Sequence, residues 1–302
     1  MNPISRFPTR NGVGASCIAL QPGSWPTVLD FLDERFPSVP REEIVARMQR
    51  GDVMDEAGIP IAPGHAYRPN QKLFYYRHID DEPRIPFEEE VLFRDELIVV
   101  ADKPHFLPVT PGGRYLQESL LVRLKRKLGV DTLAPMHRID RETAGLVVFT
   151  LKPETRGRYQ ALFSSREVHK QYECVAPFRD TLVQPIEYHS RVVLSDHFIR
   201  MRESEGAANA ETRIEMLEKA RGMARYRLVP LTGKKHQLRV HMAALGAPIL
   251  YDQIYPEHVP DERLDGDYAR PLQLLAQAIA FRDPVSGADR YFGTRRTLLP
   301  LA

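Results

Sequence analysis

The sequence predicts an α+β fold, in which a mixed, mainly antiparallel sheet is flanked by helices and preceded by a small N-terminal α/β domain. Helical and strand patterns follow one another irregularly, without the βαβ repeat that is typical of a parallel sheet. Two short helical patterns and then short strand patterns come first. The polar, proline-containing residues 77–89 follow, and their composition indicates a linker. We therefore expect domains at residues 1–85 and 90–302.

The N-terminal domain is predicted to begin with an irregular segment, because residues 1–26 show no hydrophobic periodicity. A helix is predicted from Thr27, where apolar residues recur on one face. A second helix is predicted over residues 41–50, and Gly51 follows it as a C-terminal cap. Short strands are expected after it, as far as residue 76.

The larger domain is predicted to mix strands and helices. A helix from residue 117 carries leucines at helical spacing and stops at Gly129. A helix over residues 236–245 is ended by Gly246. The other predicted elements are a helix at residues 155–164 and strands at residues 91–93, 98–100, 147–150, 172–176, 191–194, 199–202, 212–217, 224–231 and within 272–287.

Composition excludes several classes of protein. The mean hydropathy is −0.36, and no stretch approaches the roughly 18 apolar residues that a membrane span needs. Residues 1–6 show no apolar segment of a secretory signal. The two cysteines, Cys17 and Cys174, lie far apart and have no metal-ligand spacing, which indicates reduced thiols. We expect a cytoplasmic protein that does not contact a membrane.

Basic side chains concentrate locally, although the net charge is only +2. Residues 121–141 carry six basic side chains against two acidic ones. Screening removes electrostatic fields beyond about 8 Å at physiological salt, so local density decides whether phosphates are contacted. A solvated helix face is the alternative interpretation of this run.

The residues that carry chemistry begin with the segment 136–146, Met-His-Arg-Ile-Asp-Arg-Glu-Thr-Ala-Gly-Leu, directly before an apolar strand pattern. Its acid, Asp140, lies between Arg138 and Arg141. A neighbouring arginine favours the ionised form of a carboxyl group. The pattern therefore indicates an ionised acid that is presented to a polyanion, and an Asp that merely caps a turn is the alternative.

The segment resembles the His-Arg-Leu-Asp-x-x-Thr-Ser-Gly-Leu signature of the RluA-type RNA pseudouridine synthases. Four more segments resemble that family's elements, in the family's order: residues 102–109, 169–172, 231–241 and 246–252. The resemblance implies the pseudouridine synthase catalytic fold and isomerisation of uridine without a cofactor or a metal. It also implies structured RNA, namely large-subunit rRNA, tRNA or both, as the partner. We expect a monomer.

The resemblance also assigns roles to residues. It implies that Asp140 is the catalytic carboxylate, that Arg239 pairs with it, and that Tyr172 lies against the target uracil. Arg138 would fill the gap that an extruded base leaves in the RNA. Residues 27–76 are similar to a ribosomal-protein-like RNA-binding module that many family members carry. An unrelated packing extension is the alternative.

Several positions depart from the family's pattern. Phe106 and Tyr251 replace glycine, and Ala144 replaces serine. Leu275 stands where a histidine is common. Lysines at 234 and 235 replace an arginine and a hydroxyl residue. These departures leave open which RNA is recognised.

Three other functions compete with this interpretation. A protein kinase is excluded because its loop reads His-Arg-Asp without the extra residue, and no glycine-rich phosphate loop is present. A metal-dependent hydrolase would use His137, Asp140, His236 and His241 as ligands, although the two last histidines are five residues apart and do not share a helix face. The third possibility is a non-catalytic RNA-binding protein derived from a synthase.

Overall fold

The computed structural model describes residues 7–79, 81–197, 199–257 and 268–301. Residues 1–6, which show no secretory signal in the sequence, and Asp80 of the predicted linker lie outside the described residues. The chain divides into a smaller unit (residues 1–83, 111–117 and 122–131) and a larger unit (residues 84–110, 118–121 and 132–302). The change of unit at residue 84 lies close to the predicted boundary. The sequence pattern does not anticipate that residues 111–117 and 122–131 belong to the smaller unit.

In its described residues, the smaller unit contains two complete helices, part of a third and a three-stranded sheet. Its elements are β1 (Ser16–Ala19), α1 (Val28–Arg35), α2 (Arg41–Gln49), β2 (Val53–Met54) and β3 (Lys72–Tyr75), and the strand order is β1-β3-β2. Thr27 caps α1: its hydroxyl accepts from the backbone N–H of Asp30, whose carboxylate accepts from the backbone N–H of Thr27. The predicted irregular segment is wrong at β1, which is ordered by its antiparallel pairing with β3.

The other elements of the described residues are β4 (Glu90–Arg94), β5 (Ile98–Lys103), α3 (Leu120–Leu128), which passes from the larger unit into the smaller, β6 (Ala134–Pro135), β7 (Ala144–Thr150), α4 (Arg156–Ser164), β8 (His169–Pro177), β9 (Ile186–Leu194), β10 (Met201–Ser204), β11 (Ala210–Ala220), β12 (Met223–Pro230), α5 (Gln237–Ala244), β13 (Leu274–Arg282) and β14 (Asp289–Gly293). Within the part of the chain that the structure describes, the larger unit is built on one sheet of eleven strands with the order β10-β9-β11-β12-β8-β13-β7-β5-β4, with β14 paired to β13 and β6 paired to β7. Among the described strand pairs of this sheet, only β7 and β13 run parallel. The prediction of a mixed, mainly antiparallel sheet is therefore confirmed.

Two features of these elements differ from the prediction. The helix predicted from residue 117 begins at Leu120. The strands β6 and β14 were not predicted; β6 has only two residues, and in β14 exposed residues alternate with partly buried ones. Both are edge segments that pair with a longer neighbour. Among the helices of the described residues, none is long and apolar enough to cross a membrane.

The centre of the large sheet brings three segments close together. Ala276 of β13 pairs with Tyr172 of β8 on one side and with Gly145 of β7 on the other. Gly145 has φ +108°, and a Cβ atom there would lie 2.3 Å from the backbone oxygen of Ala276. Only glycine permits this approach. The motif glycine therefore brings the entrance of β7 against the strand pair that carries Tyr172.

Candidate active site

The turn that holds Asp140 is fixed by contacts of its own motif. The backbone N–H of Thr143 donates to the carbonyl oxygen of Asp140 at 3.2 Å, and Thr143 is buried. Nε2 of His137 accepts from the backbone N–H of Val148 at 3.2 Å, and the ring stacks on Phe163. Burial, and then the positive charge of Lys170, lower the pKa of His137 to about 3. His137 and Thr143 thus shape the turn.

Arg239 gathers three carboxylates although only 1% of its side chain is exposed. Its Nε and Nη2 donate to the two carboxylate oxygens of Asp252 at 2.8 and 2.7 Å. Its Nη1 donates to Oδ2 of Asp140 at 3.2 Å and lies 3.8 Å from Oε2 of Glu142. Burial alone would lower the pKa of Arg239, but the hydrogen bonds and the charge of Asp252 raise it above its ordinary value. A permanent cation, fixed in orientation by Asp252, therefore holds one oxygen of Asp140.

Glu142 is ionised beside this pair. Its Oε1 accepts from Nε of Arg141 at 2.7 Å. Burial opposes its charge, but Arg141 and then Arg239 outweigh burial and lower the pKa of Glu142 to about 2.

Lys103 lies fully buried next to the motif turn. Its Nζ donates to the carbonyl oxygens of Pro104 and Leu107 at 3.0 and 2.7 Å, and to that of Arg141 at 3.0 Å. Burial lowers the pKa of Lys103 from 10.5 to about 7, against the opposing charges of Glu142 and Asp140. Lys103 thus ties the loop after β5 to the turn that carries Asp140.

This pKa makes a prediction for stability. Between pH 7 and 10.5 the unfolded chain binds more protons at Lys103 than the folded chain does, so the free energy of unfolding rises with pH across that window. From pH 7 to 8 the contribution is about 1 kcal/mol. We expect the difference in unfolding free energy between wild type and Lys103→Met, measured by urea denaturation, to change by that amount in favour of wild type. A difference that stays constant with pH would mean that Lys103 keeps its charge when folded.

His236 faces the other oxygen of Asp140. Its Nε2 lies 3.9 Å from Oδ1 of Asp140, and its Nδ1 lies 3.0 Å from the hydroxyl of Tyr255. That hydroxyl accepts from the backbone N–H of Met201 at 2.8 Å. Tyr255 is buried, and a hydroxyl proton without an acceptor would cost about 1–3 kcal/mol, so the hydroxyl donates to Nδ1. The proton of the neutral ring is then on Nε2, directed towards Asp140.

Tyr172 and Arg138 differ in their surroundings. Tyr172 is partly buried on β8, and burial, followed by the negative charge of Asp140, raises the pKa of its phenol. The ring therefore lies within the electrostatic range of the carboxylate. Arg138 is exposed and makes no hydrogen bond or ion pair with any residue in the described ranges. The structure thus brings Asp140, Arg239 and Tyr172 together and leaves Arg138 open to solvent.

The structure shows the surroundings of four residues that depart from the family's pattern. Phe106 and Tyr251, which replace glycine, keep left-handed backbones with φ +67° and +62°. Such a conformation costs an L-residue roughly 1–2 kcal/mol. Ala144 and Leu275 pair across β7 and β13, and both are buried. An apolar pair therefore occupies the place where the family's pattern has a serine and a histidine.

The four residues of the metal-hydrolase hypothesis are not gathered at one point. Both ring nitrogens of His241 lie 3.0 Å from hydroxyls, of Thr212 and Ser190. The Nε2 of His137 accepts from the backbone, and of the three histidines only His236 approaches Asp140. Within the described ranges, the one group of three potential metal ligands is Glu187, His189 and Glu211. This geometry does not support the hydrolase hypothesis.

The sequence patterns do not single out four residues around the site: Lys103, Glu142, Asp252 and Tyr255. The first three lie in segments that resemble the family's elements, which is the signal that could have selected them. His236 also lies in such a segment, but the sequence offers it only as a metal ligand of the hydrolase alternative. Tyr255 lies outside every such segment, and its role follows only from the hydrogen bond to His236.

Comparison with known proteins identifies the family of this chain. A family model described as RNA pseudouridylate synthase matches residues 97–244. The dual-specificity RNA pseudouridine synthase RluA of Haemophilus ducreyi is 32% identical over 222 residues, which cover 71% of this chain and 96% of that protein. An uncharacterized RNA pseudouridine synthase of Synechocystis is 29% identical over 238 residues, covering 77% of this chain and 81% of that protein.

A solved structure shows the same fold. Human RNA pseudouridylate synthase domain containing 1 superposes with a TM-score of 0.58 at 22% identity, and the match covers 74% of this chain and 89% of that chain. The fold, the order of the motifs and the near-complete coverage of the Haemophilus relative agree. The chain belongs to the RluA-type family of RNA pseudouridine synthases, and its enzyme class is that of an isomerase.

Proposed function

We propose that the protein converts specific uridines to pseudouridine in structured RNA, in large-subunit rRNA, tRNA or both, with Asp140 as the catalytic carboxylate. The observation that carries the proposal is the contact between Asp140 and the buried Arg239. The guanidinium donates to Oδ2 and fixes the orientation of the carboxylate, while a quarter of the Asp140 side chain remains exposed. This is the arrangement that a reactive carboxylate needs.

The reaction breaks the bond between N1 of uracil and C1′ of ribose, turns the detached base, and joins C5 to the same carbon. No atom is gained or lost overall, because C5 gives up one proton and N1 takes one up. Asp140 acts on the sugar, either as a nucleophile at C1′ or by removing a sugar proton. Both routes require an ionised carboxylate with one oxygen facing the substrate. Oδ1, which Arg239 does not contact, is that oxygen.

Tyr172 and Arg138 are proposed to hold the target nucleotide. The Tyr172 ring, close to Asp140, supports stacking on the uracil, which an aromatic side chain stabilises by roughly 1–3 kcal/mol. Extruding a base from RNA costs a few kcal/mol. The exposed guanidinium of Arg138 is suited to occupy the gap, because its plane stacks on bases and bonds phosphates.

The same proposal extends to the N-terminal domain and to the setting of the protein. We propose that residues 1–85 are a degenerate RNA-binding module, which the order of two helices and short strands supports. We also propose that the protein acts as a monomer in the cytoplasm. Light scattering of the purified protein and fractionation of cells are the measurements that check the last two points.

The test of the function is conversion of uridine by the purified full chain. We expect the purified protein to form pseudouridine in total cellular RNA in the presence of EDTA. A comparison with RNA from cells that lack the protein then maps the position of the modified uridine. Activity that disappears in EDTA would favour a metal-dependent hydrolase. Tight RNA binding without any conversion would favour the non-catalytic RNA-binding protein.

A further inference from the structure

The two oxygens of Asp140 have different surroundings. Arg239 donates to Oδ2, whereas Oδ1 faces Nε2 of His236 across 3.9 Å. A distance of 3.9 Å is too long for a direct hydrogen bond. It matches a gap bridged by one oxygen atom, since two hydrogen bonds of about 2.8 Å would meet there at an angle of roughly 90°.

The donor on His236 is fixed by its neighbours. The chain from the backbone of Met201 to the hydroxyl of Tyr255 to Nδ1 leaves the ring proton on Nε2. Burial lowers the pKa of His236, with Asp140 opposing that effect, so the ring is the neutral tautomer near pH 7. The bridging oxygen therefore meets a donor on one side, His236, and an acceptor on the other, Asp140.

Only a group that both donates and accepts fits between these two side chains. A uracil carbonyl accepts from His236 but has no proton for the carboxylate. A hydroxyl satisfies both. Since the proposed reaction places Asp140 against C1′ of the target ribose, the nearest substrate hydroxyl is the one on the adjacent carbon, the 2′-hydroxyl. This group is also what distinguishes RNA from DNA at a nucleotide.

We propose that His236 is a specificity-determining residue, which donates from Nε2 to the 2′-hydroxyl of the target uridine while that hydroxyl donates to Oδ1 of Asp140. Tyr255 is then a positioning residue, which keeps the donor on Nε2. This inference rests on the proposed function of Asp140 and adds the recognition of ribose to it.

The test compares four dissociation constants. Asp140→Asn protein, which cannot turn over, is measured with and without His236→Asn, on RNA that carries either uridine or 2′-deoxyuridine at the target position. In this background the amide nitrogen replaces Oδ1, so the constants report the bond from His236 to the hydroxyl and not the bond from the hydroxyl to Asp140. Asparagine is suited to position 236 because it tolerates the left-handed backbone, φ +55°, and lacks a donor at the Nε2 position. We expect the deoxy substitution to weaken binding about fivefold when His236 is present and less than twofold when it is absent.

A kinetic measurement tests the same role of His236. With Asp140 intact, His236→Asn is expected to slow single-turnover conversion by about tenfold or more, and His236→Gln, whose amide restores a donor near Nε2, to recover much of that loss. Equal deoxy penalties with and without His236 would overturn the inference. If wild type converts uridine and Asp140→Asn does not, that result leaves the proposed function intact; conversion by Asp140→Asn would instead remove its basis.

Discussion

Asp140→Asn is expected to reduce conversion of uridine by about 10⁴-fold or more, because an amide can neither attack C1′ nor accept a proton from the sugar. The substitution preserves the shape of the side chain, and its carbonyl oxygen can still accept from Nη1 of Arg239. The clamp between Arg239 and Asp252 remains intact. We therefore expect the variant to fold and to bind RNA with nearly the affinity of wild type. Single-turnover conversion and filter binding measure the two quantities separately.

The matched control is Asp289→Asn, which makes the same chemical change at an exposed position of β14. It is expected to leave both conversion and RNA binding unchanged. Asp140→Asn protein that converts uridine at a rate within tenfold of wild type would contradict the assignment of the catalytic carboxylate. A loss of RNA binding together with conversion would instead indicate that Asp140 shapes the binding surface.

Much of the fold could be predicted because local signals agree with the final structure. The start of α1 at Val28 follows from Thr27, a capping residue, and α2 is followed by Gly51 with φ +75°. The strands β1 and β14 carry no comparable signal. Neither has a buried run of its own, and each is ordered by pairing with a longer strand. Tertiary context of this kind is not contained in a local pattern.

The site shows the same limit over longer distances. Asp140 and Arg239 are 99 residues apart, and no periodicity relates them. Their pairing was predicted only through the resemblance to a family. The hydrogen bond between His236 and Tyr255 depends on the course of the chain after α5, so it can be identified only in the structure. The sequence therefore predicts which residue types carry the chemistry, while the structure supplies their orientation.

Arg239→Met is expected to have the largest effect on stability, because it leaves the buried Asp252 without its bidentate partner and removes a contact from Asp140 and Glu142. Removing one partner of a buried ion pair costs about 3–5 kcal/mol. Urea denaturation of the full chain measures this loss. Conversion is also expected to fall, by about a hundredfold or more, since Asp140 loses the group that orients it. Arg239→Lys keeps the charge but not the bidentate geometry. Its stability and its rate of conversion should lie between those of wild type and Arg239→Met.

A second substitution separates the structural part of this effect from the catalytic part. Asp252→Asn in the Arg239→Met background removes the buried charge that was left unpaired, so part of the lost stability should return. Conversion should not return, because the oxygen of Asp140 that faces Arg239 still lacks its cation. Recovery of both properties would show that Arg239 serves only to neutralise Asp252. Recovery of stability alone would assign Arg239 a direct effect on Asp140, since the fold would then be intact while the carboxylate is unable to react.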